Sequence, residues 1–196
     1  MLLLAYILLG AFCIGIALFT VYLAYAAWSA APFVPLRERH VNRMLDLAGL
    51  KSGETLMDLG SGDGRILCAA AARRARAIGI EINPALIWWS RLVSRRGGHG
   101  DITIRRENLW RADVSGADVL TLFFIRGKMP ALEAKLGREM KPGARVVSYG
   151  FTFPNWPIQA RDGKIYLYVV HPSRGYSPPQ NRGDAAQKTD PGGDRG

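Results

Sequence analysis

Leu56-Met57-Asp58-Leu59-Gly60-Ser61-Gly62-Asp63-Gly64-Arg65 constrains this chain more than any other stretch. Thr55 to Leu59 reads as an apolar strand and Arg65 to Arg76 as an alanine-rich helix, joined by a turn with glycine at every second position. Glycine takes positive φ and lets the backbone approach a ligand closely. A helix start offers free N–H groups and partial positive charge, which suit a carboxylate. In an open α/β sheet, ligands bind beyond the carboxyl end of a strand. Asp58, Gly60, Ser61, Gly62, Asp63, Gly64 and Arg65 are therefore candidate ligand-binding residues, with Asp58 or the loop carbonyls available to accept from a cationic amine.

No G-x-x-x-x-G-K-[ST] is present, which argues against a nucleoside-triphosphate loop, and the glycines are spaced one residue tighter than the dinucleotide fingerprint G-x-G-x-x-G. A second strand, Ala77 to Ile82, places Glu81 at a strand tip about 20 residues past the loop, where an acid accepts both hydroxyls of a ribose. That pattern serves a nicotinamide dinucleotide and S-adenosylmethionine equally. Ile82 stands beside it. Asn108-Leu109-Trp110 follows a third strand, where the Asn108 amide can meet an adenine amine and Leu109 can cover the ring; a plain Asx turn is the alternative for Asn108.

Along the rest of the chain strands and helices alternate. Pro84 to Arg96 reads as a helix, Ile102 to Arg105 as a strand, Ala117 to Phe124 as an apolar strand and Met129 to Met140 as a helix stopped by Pro142-Gly143. Arg145 to Tyr149 is a fifth strand, and Lys164 to Val170 a late, antiparallel one. Such alternation means a doubly wound, mostly parallel sheet. Trp88 and Trp89 are expected to place one ring against the sheet and the other at a surface.

The first thirty residues carry no charged side chain, although the whole chain has a net charge of +10. An apolar run from Met1 to Ser29 exceeds the roughly 20 helical residues needed to cross a hydrocarbon core. Tyr22, Tyr25 and Trp28 suit a headgroup zone. A cleaved signal is the competing reading, but no Lys or Arg precedes the run, and its length exceeds the usual apolar core of about 7–15 residues. Pro32 and Pro35 break the helix, and Arg37, Arg39 and Arg43 follow, predicting a single span with the N-terminus outside and the domain cytoplasmic. Leu36 to Leu47 has the spacing of a short amphipathic helix. The expected organisation is a transmembrane helix over 1–29, a linker and amphipathic helix over 30–49, a catalytic domain over 50–171 and a disordered tail over 172–196, the tail being too polar to offset its ordering entropy. The charge favours anionic partners, and Arg91, Arg95, Arg96, Arg105, Arg106 and Arg111 are candidates for contact with an anionic lipid surface, a solvated basic face being the alternative. Cys13 and Cys68 have no metal-site spacing, and no metal is expected.

Taken together, these motifs resemble a known family. They comprise Phe33-Val34-Pro35, the glycine loop, Glu81-Ile82-Asn83-Pro84, Asn108-Leu109-Trp110, Lys141-Pro142-Gly143-Ala144-Arg145-Val146-Val147-Ser148, and Phe153-Pro154 with Trp156. The chain from about Phe33 to Val170 is similar to the seven-stranded methyltransferases that modify lysine in mitochondrial membrane proteins, namely the ATP synthase c-subunit and adenine nucleotide translocase enzymes, and to their prokaryotic relatives. Those enzymes also carry an N-terminal apolar segment. The resemblance implies a Rossmann-like seven-stranded class I methyltransferase, S-adenosylmethionine as cofactor, and a lysine on a membrane protein as acceptor. Phe124-Ile125-Arg126-Gly127-Lys128 departs from the more apolar, proline-containing loop of that family.

Methyl transfer is an in-line displacement in which the enzyme chiefly aligns the reactants, and no dedicated base stands out. A lipid or quinone methyltransferase and a non-catalytic, membrane-tethered cofactor-binding module are the alternatives. No Asn/Asp-Pro-Pro-Tyr/Phe motif follows the fourth strand, and the span argues against nucleic acid as the acceptor.

Overall fold

A computed structural model describes residues 2–28, 35–96 and 100–171. The expectations for Pro32, for Phe33 and Val34, and for the tail over 172–196 fall outside the described residues. So do the side chains of Tyr25, Trp28 and Arg96.

Helix α1, Leu2–Trp28, is apolar all round, and none of its membrane-length stretch Leu3–Tyr22 is buried. It is one helix long and apolar enough to cross a membrane. Helix α2, Glu38–Leu47, begins two residues later than its pattern predicts. Val41, Met44, Leu45 and Ala48 are buried at helical spacing, and full burial of a large apolar side chain contributes about 1.5–3 kcal/mol. That is enough to make α2 part of the domain core rather than a loose connector.

The chain then runs β1 (Thr55–Leu59), α3 (Arg65–Ala72), β2 (Arg76–Glu81), α4 (Pro84–Arg96), β3 (Ile102–Arg106) and β4 (Val119–Leu122). A 3-10 turn (Arg126–Lys128) leads into α5 (Met129–Glu139), followed by β5 (Arg145–Tyr149), β6 (Ala160–Asp162) and β7 (Ile165–Val169). The sheet has seven strands in the order β3-β2-β1-β4-β5-β7-β6. β1 to β5 are parallel, and β7 runs antiparallel between β5 and β6. Residues of α2 and α3 pack on one face with Leu56, Ala77, Val119 and Val147. Residues of α5 pack on the other with Met57, Leu59, Ile78, Ile80, Leu120 and Leu122. The parity of each strand thus sorts its side chains between two apolar layers.

Three expectations need correction, and one strand has no counterpart in the sequence reading. Helix α3 ends at Ala72 rather than Arg76, because Arg74 takes a left-handed φ of 62°. That reversal lets Arg76 start β2 opposite Thr55. β4 is shorter at both ends, since its neighbours pair only with Val119 to Leu122. β6 has no apolar pattern in Ala160-Arg161-Asp162 to announce it; backbone pairing to β7 alone makes it a strand. Trp88 and Trp89 are both outward, at 65% and 50% exposure, because Ile87 and Ser90 form the buried stripe of α4.

Candidate active site

The strand order reverses between β1 and β4, and the carboxyl ends beside such a reversal are the place where doubly wound sheets bind ligands. On the α3 side of the sheet the inward residues are Leu56 then Asp58, Ala77 then Gly79 then Glu81, and Val119 then Thr121. The apolar layer therefore gives way to polar groups under the glycine loop.

Gly60, Gly62 and Gly64 take φ of 82°, 53° and 81°, and Gly64 is the residue before the first turn of α3. The N–H groups of Gly60 and Ser61 donate to the Ile80 carbonyl at 2.8 and 3.1 Å, stitching the loop to β2. A Cβ at Gly79 would stand 2.6 Å from both Leu67 Cδ1 and Ser61 Oγ. Gly79→Ala is expected to cost roughly 1–3 kcal/mol through this overpacking, visible as a lower thermal midpoint by circular dichroism. An unchanged midpoint would mean that the loop yields freely.

Asp58 is 3% exposed and accepts a 2.8 Å hydrogen bond from Thr121 Oγ1. Burial pushes its carboxyl up; the Thr121 bond opposes this, the charges of Glu81 and Asp63 add to it, and the result is about 7. Thr121 carried no motif, but it is the lone polar residue in Val-Leu-Thr-Leu, and the β1–β4 register sets it beside Asp58.

Glu81 does not stand free at its strand tip. Oε2 accepts from Gly62 N–H at 2.9 Å, and Oε1 from Ile82 and Asn83 N–H, each at 2.8 Å. An ionised carboxylate has about four acceptor directions, so Glu81 braces the loop and keeps limited capacity for a further donor. Arg65 and Asp63 pair with each other, and Arg65 Nη1 also donates to the Leu36 carbonyl. Both thus fasten the loop to the segment preceding α2. Asn108 Oδ1 accepts from Trp110 N–H at 3.0 Å, forming the Asx turn. Leu109 packs against the α5-side core, while Ile82 is 47% exposed beside Glu81.

These residues can hold a ligand carrying an amino acid group and a ribose. Ser61 Oγ is buried without a partner, a buried acid faces the loop, and Gly60 has nothing within 4 Å of its Cβ position. An open cleft of about 410 Å³ at the opposite edge, lined by Glu54, Asp118, Lys141 and Arg145 among others, is a different place. Two of its cations are already matched, Arg145 with Glu54 and Lys141 with Asp118.

A family model described as the ANTKMT methyltransferase domain matches residues 58–160. This chain belongs to that family. A protein-lysine N-methyltransferase of Saccharolobus islandicus is 37% identical over 150 residues, covering 71% of this chain and 93% of that protein. The ATP synthase c-subunit lysine N-methyltransferase of Rattus norvegicus is 38% identical over 151 residues, covering 73% of this chain and 69% of its own length. The adenine nucleotide translocase lysine N-methyltransferase of Mus musculus is 36% identical over 148 residues, covering 72% and 64% respectively. Among solved structures, an RNA methyltransferase from Salinibacter ruber in complex with S-adenosyl-L-homocysteine superposes with a TM-score of 0.70 at 33% identity, covering 74% of this chain and 98% of that one. The chain is an S-adenosylmethionine-dependent methyltransferase, and its sheet has the seven strands that the family resemblance implies.

Proposed function

We propose that this enzyme methylates a lysine side chain on a membrane protein, held at the bilayer by α1 as a single span with the N-terminus outside and the domain on the cytoplasmic side. The observation that carries the acceptor is the similarity to relatives named as lysine N-methyltransferases, one of them matched over 93% of its length. Arg37, Arg39 and Arg43 after an uncharged helix support the orientation, and the basic surface supports an anionic lipid partner. The domain organisation follows: 1–29 as the span, 30–49 as linker and α2, 50–171 as the catalytic unit and 172–196 as a tail.

The cofactor supplies an electrophilic methyl group on a sulfonium. Loop N–H groups at the start of α3 suit its carboxylate, Asp58 its ammonium, Glu81 its ribose, and Ile82, Asn108 and Leu109 its adenine. A lysine acceptor must arrive neutral, from an ordinary pKa of ~10.4, and burial lowers that value. The N–C bond then forms as the C–S bond breaks, and the protein's task is alignment.

Affinity for S-adenosylmethionine should follow pH with the sign that Asp58 dictates. Its carboxyl ionises as pH rises through about 7, and only the ionised form attracts an ammonium. Affinity therefore rises at most about tenfold per unit below 7 and falls again as the ligand's own amine, ordinarily near 8, loses its proton. Thr121→Val removes the bond that favours ionisation and should move the rising limb to higher pH; Asp58→Asn should flatten it. Calorimetry across the range reads all three, and a flat wild-type profile would rule out the Asp58 role.

Tritiated S-adenosylmethionine added to a cell extract tests the acceptor. Label should resist lipid extraction and ribonuclease, and should be recovered as methyl-lysine after hydrolysis. Similarity to the Salinibacter RNA methyltransferase and the charge of +10 favour an RNA acceptor as the second reading. Ribonuclease-sensitive label would establish it, and solvent-extractable label would point to a lipid or quinone.

A further inference from the structure

Exposed cations without an ion-pair partner are more numerous at one edge of the sheet than at the other. At the amino edge, where the parallel strands begin, Arg76, Lys141 and Arg145 pair with Asp101, Asp118 and Glu54, while Lys51 and Arg74 are exposed and form no ion pair among the described residues. The carboxyl edge, which carries the glycine loop, holds more of them. Arg105 and Arg106 at the end of β3, Arg111 in the loop beyond it, and Arg126 and Lys128 after β4 are all exposed. None of the five forms an ion pair with a carboxylate among the described residues. Arg126 instead lies over the Phe151 ring, 5.8 Å from its centroid.

Exposed apolar surface gathers at the same edge. Outside α1, the exposed large hydrophobic residues among those described are Ile82, Trp88, Trp89, Trp110 and Ile158. Ile82 and Trp110 follow the tips of β2 and β3, and the two α4 tryptophans stand in the first two turns after Pro84. Outward indole beside unpaired arginine suits a phospholipid headgroup layer, where the ring is half wet and the cation meets phosphate.

The path of the chain agrees. The Leu36 carbonyl is bound by Arg65 at the start of α3, so the polypeptide joins the domain at the carboxyl edge. Seven peptide steps separate Trp28 from Pro35, which limits their separation to roughly 25 Å.

We infer that the carboxyl edge of the sheet rests on an anionic leaflet, with Arg105, Arg106, Arg111, Trp88 and Trp89 as its contact surface. This rests on the proposed membrane tether and adds to it an orientation: the methyl-donor site opens toward the bilayer surface. A lysine just above the headgroups is then within reach, while one on a tall soluble domain is not. An RNA strand would also answer to the arginines, but it would not account for the outward tryptophans or for the uncovered apolar helix α1.

Hydrogen exchange of the full chain tests this in nanodiscs of phosphatidylcholine alone and of phosphatidylcholine mixed with phosphatidylglycerol. Amides of 82–92 and 103–111 should exchange roughly fivefold more slowly in the anionic discs, the shift given by about one interfacial cation, and those of 51–54 and 141–145 should be unchanged. The protection should fade in high salt. Arg105→Gln with Arg106→Gln, and separately Trp88→Ser with Trp89→Ser, should remove it while calorimetric affinity for S-adenosylmethionine stays the same. Equal exchange in both discs would overturn the inference, as would protection at the amino edge or protection that RNA confers in neutral discs. Alkaline carbonate extraction separates the two levels. A chain released from membranes loses the tether and the orientation together, whereas a retained chain without protection loses the orientation alone.

Discussion

Glu81→Ala is expected to weaken S-adenosylmethionine binding by about 2–4 kcal/mol, or roughly 30- to 700-fold. Two losses combine. An acid at the tip of the second strand is the group that can take ribose hydroxyls, and each hydrogen bond to a charged group is worth about 1.5–3 kcal/mol. The same carboxylate also holds the N–H groups of Gly62, Ile82 and Asn83, so its removal loosens the glycine loop at Gly62, while Gly60 and Ser61 keep their bonds to the Ile80 carbonyl. Glu81→Gln distinguishes the two contributions. It keeps a carbonyl oxygen for part of the N–H cluster but gives up the negative charge and turns an amide NH₂ toward the remaining donors. Its affinity should fall between that of wild type and alanine. Calorimetry measures binding, and far-ultraviolet circular dichroism verifies that each variant is folded. Unchanged affinity in the alanine variant would remove Glu81 from the site.

Deleting residues 1–31 is expected to leave cofactor affinity within about twofold of the full chain and to reduce methylation of the membrane acceptor by roughly 100-fold or more. Confinement to a surface replaces bulk encounter with a local concentration, an effect of about 10²–10⁴ in linked systems. The proposed cofactor residues lie within the sheet domain, and Leu36, which Arg65 binds, is retained. A soluble peptide carrying the same lysine should be methylated equally by both forms, which isolates the tether from the chemistry. If the shortened enzyme modifies the membrane acceptor as fast as the full chain, α1 has no part in presenting the substrate.

The local parts of this architecture were legible in the sequence. β1 and β5 have the bounds their apolar runs predict, because each is a short continuous run closed by turn residues. The glycine triplet is legible because three positive φ values in five residues are open to little else. The spacing of Val41, Met44 and Leu45 shows which face of α2 is buried, though not that α2 would complete the core of the sheet.

The misread elements share a cause. Arg73, Arg74 and Arg76 look like more of an alanine-rich helix until β2 must begin opposite Thr55. Ala160 to Asp162 is a strand only because β7 offers it partners. One of Trp88 and Trp89 reads as a core residue by composition, and only the packing of Ile87 and Ser90 turns both outward. In each case a pairing between distant residues overrides a local preference worth less than about 1 kcal/mol per residue.

By itself, the sequence determined that the chain has an apolar helix of membrane length, a strand–glycine–helix turn and an acid at the end of the next strand. These depend on neighbours a few residues apart. Tertiary structure alone decided that β4 lies beside β1, which puts Thr121 against Asp58, and that Asp58 is buried, which raises its carboxyl to about 7 against the opposing pull of the Thr121 bond. It also decided that Glu81 holds Gly62, and that Arg65 ties the glycine loop to the segment preceding α2. Residues 58 and 121 are 63 apart in the chain, and no local periodicity links them. Strand order is settled by burial of two apolar faces over the whole sheet, so contacts that depend on it emerge only when the chain is folded.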